Sequence, residues 1–359
     1  MARRLTVVIS QGQSANPIKR KLEEDLVAGL LGERQIEVTV VPHLYDLSPD
    51  HTGMLALQGI TGDMVVVSWL YARAAHWTLD RNGIRGRVGA TLLDYESDED
   101  EEVEPAQSAE EKARVLDNRP LPARTIYCID LRVKNDAGSY IEEIRRIARE
   151  STVQVVNLLG WIGGTPKADS LERFVNPTRD TAPGIEMPTS VPPVGDTVAE
   201  PVVINRITDE AARRWYPVID FSRCTNCMEC IDFCLFGVYG VDKADTILVE
   251  QPDNCRKGCP ACSRVCPENA IIFPQHKSAG IAGSPSEEAG GGLKIDLSKL
   301  FGAPDALERA VLERDVELVA VGRDAVGATV GIPKRQADRS NGPKDDLDKL
   351  MDSLDELDL

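Results

Sequence analysis

Two kinds of apolar pattern alternate through the first 150 residues. Leu5 to Ser10, Ile36 to Val41, Met64 to Trp69 and Thr125 to Leu131 are short runs rich in β-branched residues, the pattern of buried parallel strands. Between the first two, Ile18 to Leu31 spaces its apolar residues at helical intervals behind Asn16-Pro17, an N-cap and a first helical position. Tyr140 to Ala148 forms a second amphipathic series. Strand, helix, strand, helix predicts an open, mostly parallel α/β sheet with helices on both faces.

The pattern then breaks, and the breaks divide the chain. An insertion at 94–118 separates the third and fourth strands and reads as a loop or an unstructured excursion. Residues 151–201 form a linker, since Pro166 to Pro201 holds seven of the 22 prolines and can propagate neither helix nor sheet. Residues 202–275 hold eight of the nine cysteines. A flexible stretch at 276–295 follows, with five glycines from Gly280 to Gly292. A segment at 296–330 carries a short helix, Ala306 to Leu312, and an acidic tail runs over 331–359.

Charge sharpens this division. The net charge is −17, but Asp94 to Glu104 carries eight acids and no base, and Asp345 to Leu359 carries seven acids against Lys349. The rest of the chain is then near neutral, which disfavours nonspecific nucleic-acid binding, since phosphate needs clustered Lys and Arg. The most apolar run, Met64 to Ala72, is under half a bilayer span, so no membrane span is expected. Arg3 and Arg4 precede an apolar run too short for an export signal, and the reading is cytoplasmic. That compartment keeps thiols reduced, so nine cysteines point to metal rather than disulfides.

The cysteines fall into two near-copies about 30 residues apart, Cys224, Cys227, Cys230 and Cys234, then Cys255, Cys259, Cys262 and Cys266 before Pro267. Three cysteines in one loop suit a cubane, which takes three thiolates from a short turn while backbone amides stay free to bond its sulfurs. A pair of zinc sites is the other reading, although zinc ribbons usually present cysteine pairs on two separate knuckles.

Over residues 215–275 this doubled motif resembles the bacterial-type two-cluster 4Fe-4S ferredoxins. The resemblance implies a small α+β iron-sulfur module beside the α/β domain, with strands at Val218 to Asp220, Thr246 to Val249 and Ala270 to Phe273. It also implies a crossed ligand set: Cys224, Cys227, Cys230 and Cys266 for cluster I, and Cys255, Cys259, Cys262 and Cys234 for cluster II. Two departures matter. Cys255 and Cys259 have three residues between them where two are usual, and Leu235 stands where the family has proline. Gly258 supplies the backbone freedom to absorb the extra residue.

Other candidates have plainer readings. Ser10, Gly12 and Ser14 lie where α/β domains often cradle a phosphate or cofactor, but the same residues make an ordinary polar turn and helix cap. Gly160-Trp161-Ile162-Gly163-Gly164 lacks dinucleotide-binding spacing and reads as a turn. Cys128 reads as a small core residue, and His43, His51, His76 and His276 form no ligand pattern. Leu347, Leu350, Leu354 and Leu357 make a one-sided stripe in the acidic tail, suited to docking on a redox partner or to a solvated tail.

The expected function is that of an electron-transfer protein carrying two 4Fe-4S clusters and needing no catalytic residue. The alternative is an iron-sulfur oxidoreductase subunit whose α/β domain binds a flavin, nucleotide or substrate. The third is a binding or assembly protein whose clusters are structural.

Overall fold

The computed structural model describes residues 4–93, 113–152, 204–209, 211–284 and 306–330. The proline-rich linker, the Gly160 turn and the leucine stripe of the tail lie outside the described residues.

The first half is built on a six-stranded parallel sheet. Its strands are β1 (Leu5–Ser10), β2 (Ile36–Val41), β3 (Met64–Ser68), β4 (Arg87–Val88), β5 (Thr125–Asp130) and β6 (Asn205–Arg206), in the order β4-β5-β3-β1-β2-β6. Four helices cross over it: α1 (Pro17–Leu30), α2 (Thr52–Gly59), α3 (Ala72–Arg81) and α4 (Ala137–Thr152). The Asn16 side chain caps α1 by accepting the Ile18 amide at 2.9 Å, with Pro17 next, as the sequence predicts.

The period of two along each strand sorts side chains into two cores. Val7, Ile9, Val38, Val40, Val65, Val67 and Ile129 pack under α1 and α4. Val8, Val66, Ile126 and Cys128 face the other way, against Leu57 of α2 and Ala74, Trp77 and Leu79 of α3.

In this half, two helices and two strands escape the sequence pattern. α2 has only eight residues, and α3 buries every position from Ala74 to Asp80, so it shows no polar stripe. β4 and β6 are two exposed residues each, held by backbone pairing, with Thr39 opposite Asn205 and Val40 opposite Arg206. Asn205–Arg206 therefore extends the sheet, although a boundary at 202 groups them with the cysteines. The insertion at 94–118 also ends in order: Val115–Asn118 form a 3-10 turn.

The second half contains β7 (Val218–Ile219), α5 (Glu229–Phe233), β8 (Tyr239–Val241), β9 (Ile247–Val249), α6 (Ala261–Val265), β10 (Ile271–Ile272) and the one-turn α7 (Ala279–Ala282). β7 pairs antiparallel with β10, and β8 with β9. α8 (Ala306–Ala320) is longer than its predicted first turns and packs on α6.

The two halves share one core. Tyr216, Val218 and Ile272 belong to the same buried cluster as Leu44, Tyr45 and Trp77 of the α/β half. The Tyr45 and Tyr216 rings stack at 4.2 Å, the Tyr45 hydroxyl donates to the Tyr216 carbonyl, and the Tyr216 hydroxyl donates to the Tyr45 carbonyl at 2.8 Å. Arg73, at the start of α3, reaches Asp220 and the Asn269 carbonyl.

Candidate iron-sulfur centre

The cysteine segment folds as two similar halves. In each, three cysteines lie on a loop and the short helix it enters, α5 or α6, and the fourth sits at the helix C-terminus. There the Cys234 amide donates to the Cys230 carbonyl at 3.1 Å and the Cys266 amide to the Cys262 carbonyl at 3.2 Å.

Coiling the first loop needs left-handed backbone at non-glycine positions, Asn226 at φ 58° and Met228 at φ 65°. Asn226 suits this role because its side chain ties the conformation down. Its Oδ1 accepts the Ile247 amide at 2.9 Å and its Nδ2 donates to the Asp245 carbonyl at 2.8 Å. In the second loop Gly258 takes φ 94°, within the stretch that carries the extra residue.

Two cavities result. Cys224, Cys227, Cys230 and Cys266 wall one, together with Ile219, Met228, Ile247 and Ile271. Cys234, Cys255, Cys259 and Cys262 wall the other, with Phe233, Phe236, Tyr239 and Arg314. The fourth cysteine of each sequence run thus stands with the first three of the opposite run. No group of three or more His, Cys, Asp or Glu among the described residues is arranged around a single ion.

The cavity walls carry donors aimed at sulfur. The Asn226 amide lies 3.4 Å from Cys224 Sγ, the Ala270 amide 3.3 Å from Cys266 Sγ, and the Tyr239 hydroxyl donates to Cys262 Sγ at 3.0 Å. Amides of Phe236, Gly237 and Val238 favour a thiolate at Cys234 against its burial. Burial pushes the Cys259 and Cys266 thiols up to about 11 and carries Cys230 and Cys262 well above the usual thiol range. Neighbouring thiols add to this within each set: Cys224, Cys227 and Cys266 act on Cys230, while Cys234, Cys255 and Cys259 act on Cys262. Buried cysteines with amides aligned on their sulfurs fit a soft-metal thiolate centre.

Segments outside the cysteine motif cover both sets. The Val115 amide donates to the Cys224 carbonyl at 2.9 Å, Arg114 reaches the Arg223 carbonyl and Glu268, and Arg119 lies over the Phe221 ring. On the second set, Trp215 Nε1 donates to the Cys259 carbonyl at 3.2 Å, and α8 lies against α6. Neither cover was legible in the sequence, where Arg114 lies within the insertion at 94–118 and Arg314 sits in a helix of mixed charge.

The remaining candidates are engaged within the chain. The Ser10 hydroxyl accepts the Leu44 amide at 2.8 Å, and the Ser14 hydroxyl accepts the Asn16 amide at 3.2 Å. The Gly12 amide donates to Glu23 Oε1 at 2.7 Å, so the buried Glu23 carboxylate stands where a phosphate oxygen would approach that amide. Cys128 lies in the core, where burial raises its thiol to about 12. His51 and His276 accept the Ser48 and Ser278 amides, and His43 and His76 are largely buried in the α/β half.

An uncharacterized ferredoxin of Methanocaldococcus jannaschii is 50% identical over 64 residues, which are 18% of this chain and 43% of that protein. Pyruvate synthase subunit PorD of Methanothermobacter marburgensis is 34% identical over 84 residues, 23% of this chain and 96% of that protein. The chain thus spans less than half of the first relative and nearly all of the second. No protein-family model and no solved structure matches the chain. Among the described residues, no helix is long and apolar enough to cross a membrane.

Proposed function

This chain belongs, through its cysteine segment, to the ferredoxin-like iron-sulfur family of PorD, and from that premise we infer that it carries electrons through two 4Fe-4S clusters. Cys224, Cys227, Cys230 and Cys266 hold one in this reading, and Cys255, Cys259, Cys262 and Cys234 the other. The observation that supports it is the pair of cavities, each walled by four cysteines drawn from both runs.

A bound cluster of this kind supplies one-electron chemistry without a change of ligands. The protein holds the thiolates, directs amides and the Tyr239 hydroxyl at sulfur, and keeps water out with Ile219, Ile247, Ile271, Phe233 and Val265. The second relative is named a pyruvate synthase subunit, and the core shared by the two halves here favours a carrier built into a larger redox assembly. The partner is then a redox protein, with the acidic residues 345–359 offering an apolar and charged docking element. Zinc is the competing occupant.

Anaerobic purification with metal and sulfide analysis tests the reading. Two four-iron clusters require about eight iron and eight sulfide per chain, with visible absorption that bleaches reversibly on reduction. A colourless, zinc-loaded protein overturns it.

A further inference from the structure

Arg314 heads the fully buried side chains by volume among the described residues, at 1% exposure. A buried guanidinium is costly unless its charge and donors are matched. Its Nε donates to Asp315 Oδ1 at 3.1 Å, Nη1 to the Val330 carbonyl at 2.9 Å and Nη2 to the Gly327 carbonyl at 2.7 Å. All three acceptors come from α8 itself or the turn that follows it.

The other side of the group faces the second cysteine set. Arg314 lies over the Phe233 ring, 4.6 Å from its centroid, and forms part of the cavity wall with Cys234, Cys255, Cys259 and Cys262. α8 is fixed in this position. Arg264 grips Glu313 at 2.9 and 3.0 Å, Ala310 and Val311 pack against Phe233, Ala261 and Val265, and Arg323 donates to the Leu235 carbonyl at 2.8 Å. Of the other charges near this set, Arg256 also lines the cavity, and Glu313 and Glu317 face Cys259 from α8. Asp315 does not line the cavity, and its Oδ2 accepts the Gly327 amide at 2.6 Å.

We propose that Arg314 sets the reduction potential of the cluster held by Cys234, Cys255, Cys259 and Cys262. The proposal rests on the electron-carrier reading. A cluster that gains one electron gains one negative charge, and a fixed cation in a wall shielded from water stabilises that state, so the potential rises. The charge comes from a helix that lies beyond the doubled cysteine motif. Arg314 acts through the field at the cluster and is a positioning residue that ligates nothing.

The test is a redox titration of the cluster-loaded full chain, read by electron paramagnetic resonance and visible absorption. Arg314→Gln removes the charge and keeps donors, and it should lower the midpoint of one cluster while the other stays at its wild-type value. Asp315→Asn removes the counter-charge and should raise the same midpoint. Arg314→Lys keeps the charge and should stay near wild type. Midpoints unmoved by both Arg314→Gln and Asp315→Asn, or moved in the same direction, overturn the proposal. Should Arg314→Gln fail to retain iron, Asp315→Asn decides, and its unmoved midpoint overturns the proposal. A wild-type chain without reversibly reducible clusters overturns the electron-carrier reading instead, so the two failures are distinct.

Discussion

Replacing Tyr45 with Phe removes a single oxygen from the junction of the two halves. Both tyrosines are fully buried, and the ring stack at 4.2 Å survives the change. Two backbone groups lose their partner: the Tyr216 amide, which donates to the Tyr45 hydroxyl at 2.6 Å, and the Tyr216 carbonyl, which accepts from it. Each buried polar group left unsatisfied costs about 1–3 kcal/mol, and one missing oxygen leaves too little room for a water to replace it. Tyr45→Phe should therefore destabilise the chain by about 2–6 kcal/mol. Tyr216→Phe strands only the Tyr45 carbonyl, which loses its 2.8 Å bond, and should cost about 1–3 kcal/mol. Anaerobic urea unfolding of the cluster-loaded full chain, followed by far-ultraviolet circular dichroism, gives both numbers. A Tyr45→Phe midpoint indistinguishable from wild type, or a loss smaller than that of Tyr216→Phe, would refute the reasoning.

Further outcomes follow from the same geometry. Cys266→Ala should abolish the cluster of Cys224, Cys227 and Cys230 and spare the other, measured as loss of about half the iron together with one spectroscopic signal; loss confined to the second set would show the ligands are not crossed. Glu23→Gln weakens the charged bonds to the Gly12 amide, Trp69 Nε1 at 2.8 Å and Arg20 at 3.0 Å, and should cost about 2–4 kcal/mol in urea unfolding. Burial holds His76 below the ordinary imidazole value, against the pull of Asp80 and Asp220. Its contribution is complete above the unfolded value of about 6.5 and falls away as the pH drops toward the folded one, so His76→Gln should flatten the decline of stability as the pH falls below about 6.5. Deleting residues 345–359 should leave iron content unchanged and slow reduction of a native partner in stopped flow, with the slowing reduced at high salt; identical rates at every salt concentration count against the docking role.

What the sequence revealed and what it hid have physical causes. β1 and β2 were legible to the residue because strands buried on both faces are continuous apolar runs, and α1 because Asn16-Pro17 marks its start. The cysteine loops were legible because their tight spacing repeats in two near-copies. α3 was not, because His76, Thr78 and Asp80 are buried polar residues that erase its amphipathic stripe. Tyr239 and Arg314 were missed for a different reason. Each reaches the cysteines from another element, and a one-dimensional reading of spacing has no access to such contacts.

The shared core bears on how this protein can be divided. A tethered module can be cut at its linker, expressed alone and swapped between hosts. Here Tyr216, Val218 and Ile272 complete a hydrophobic core whose other members include Leu44, Tyr45 and Trp77. A cut between the halves would lay bare apolar surface on both pieces, and each would seek a new cover, by self-association or by capture of other proteins. In a chimaera, a foreign sheet would have to reproduce the Tyr45 side of that surface before the cysteine segment could stand on it.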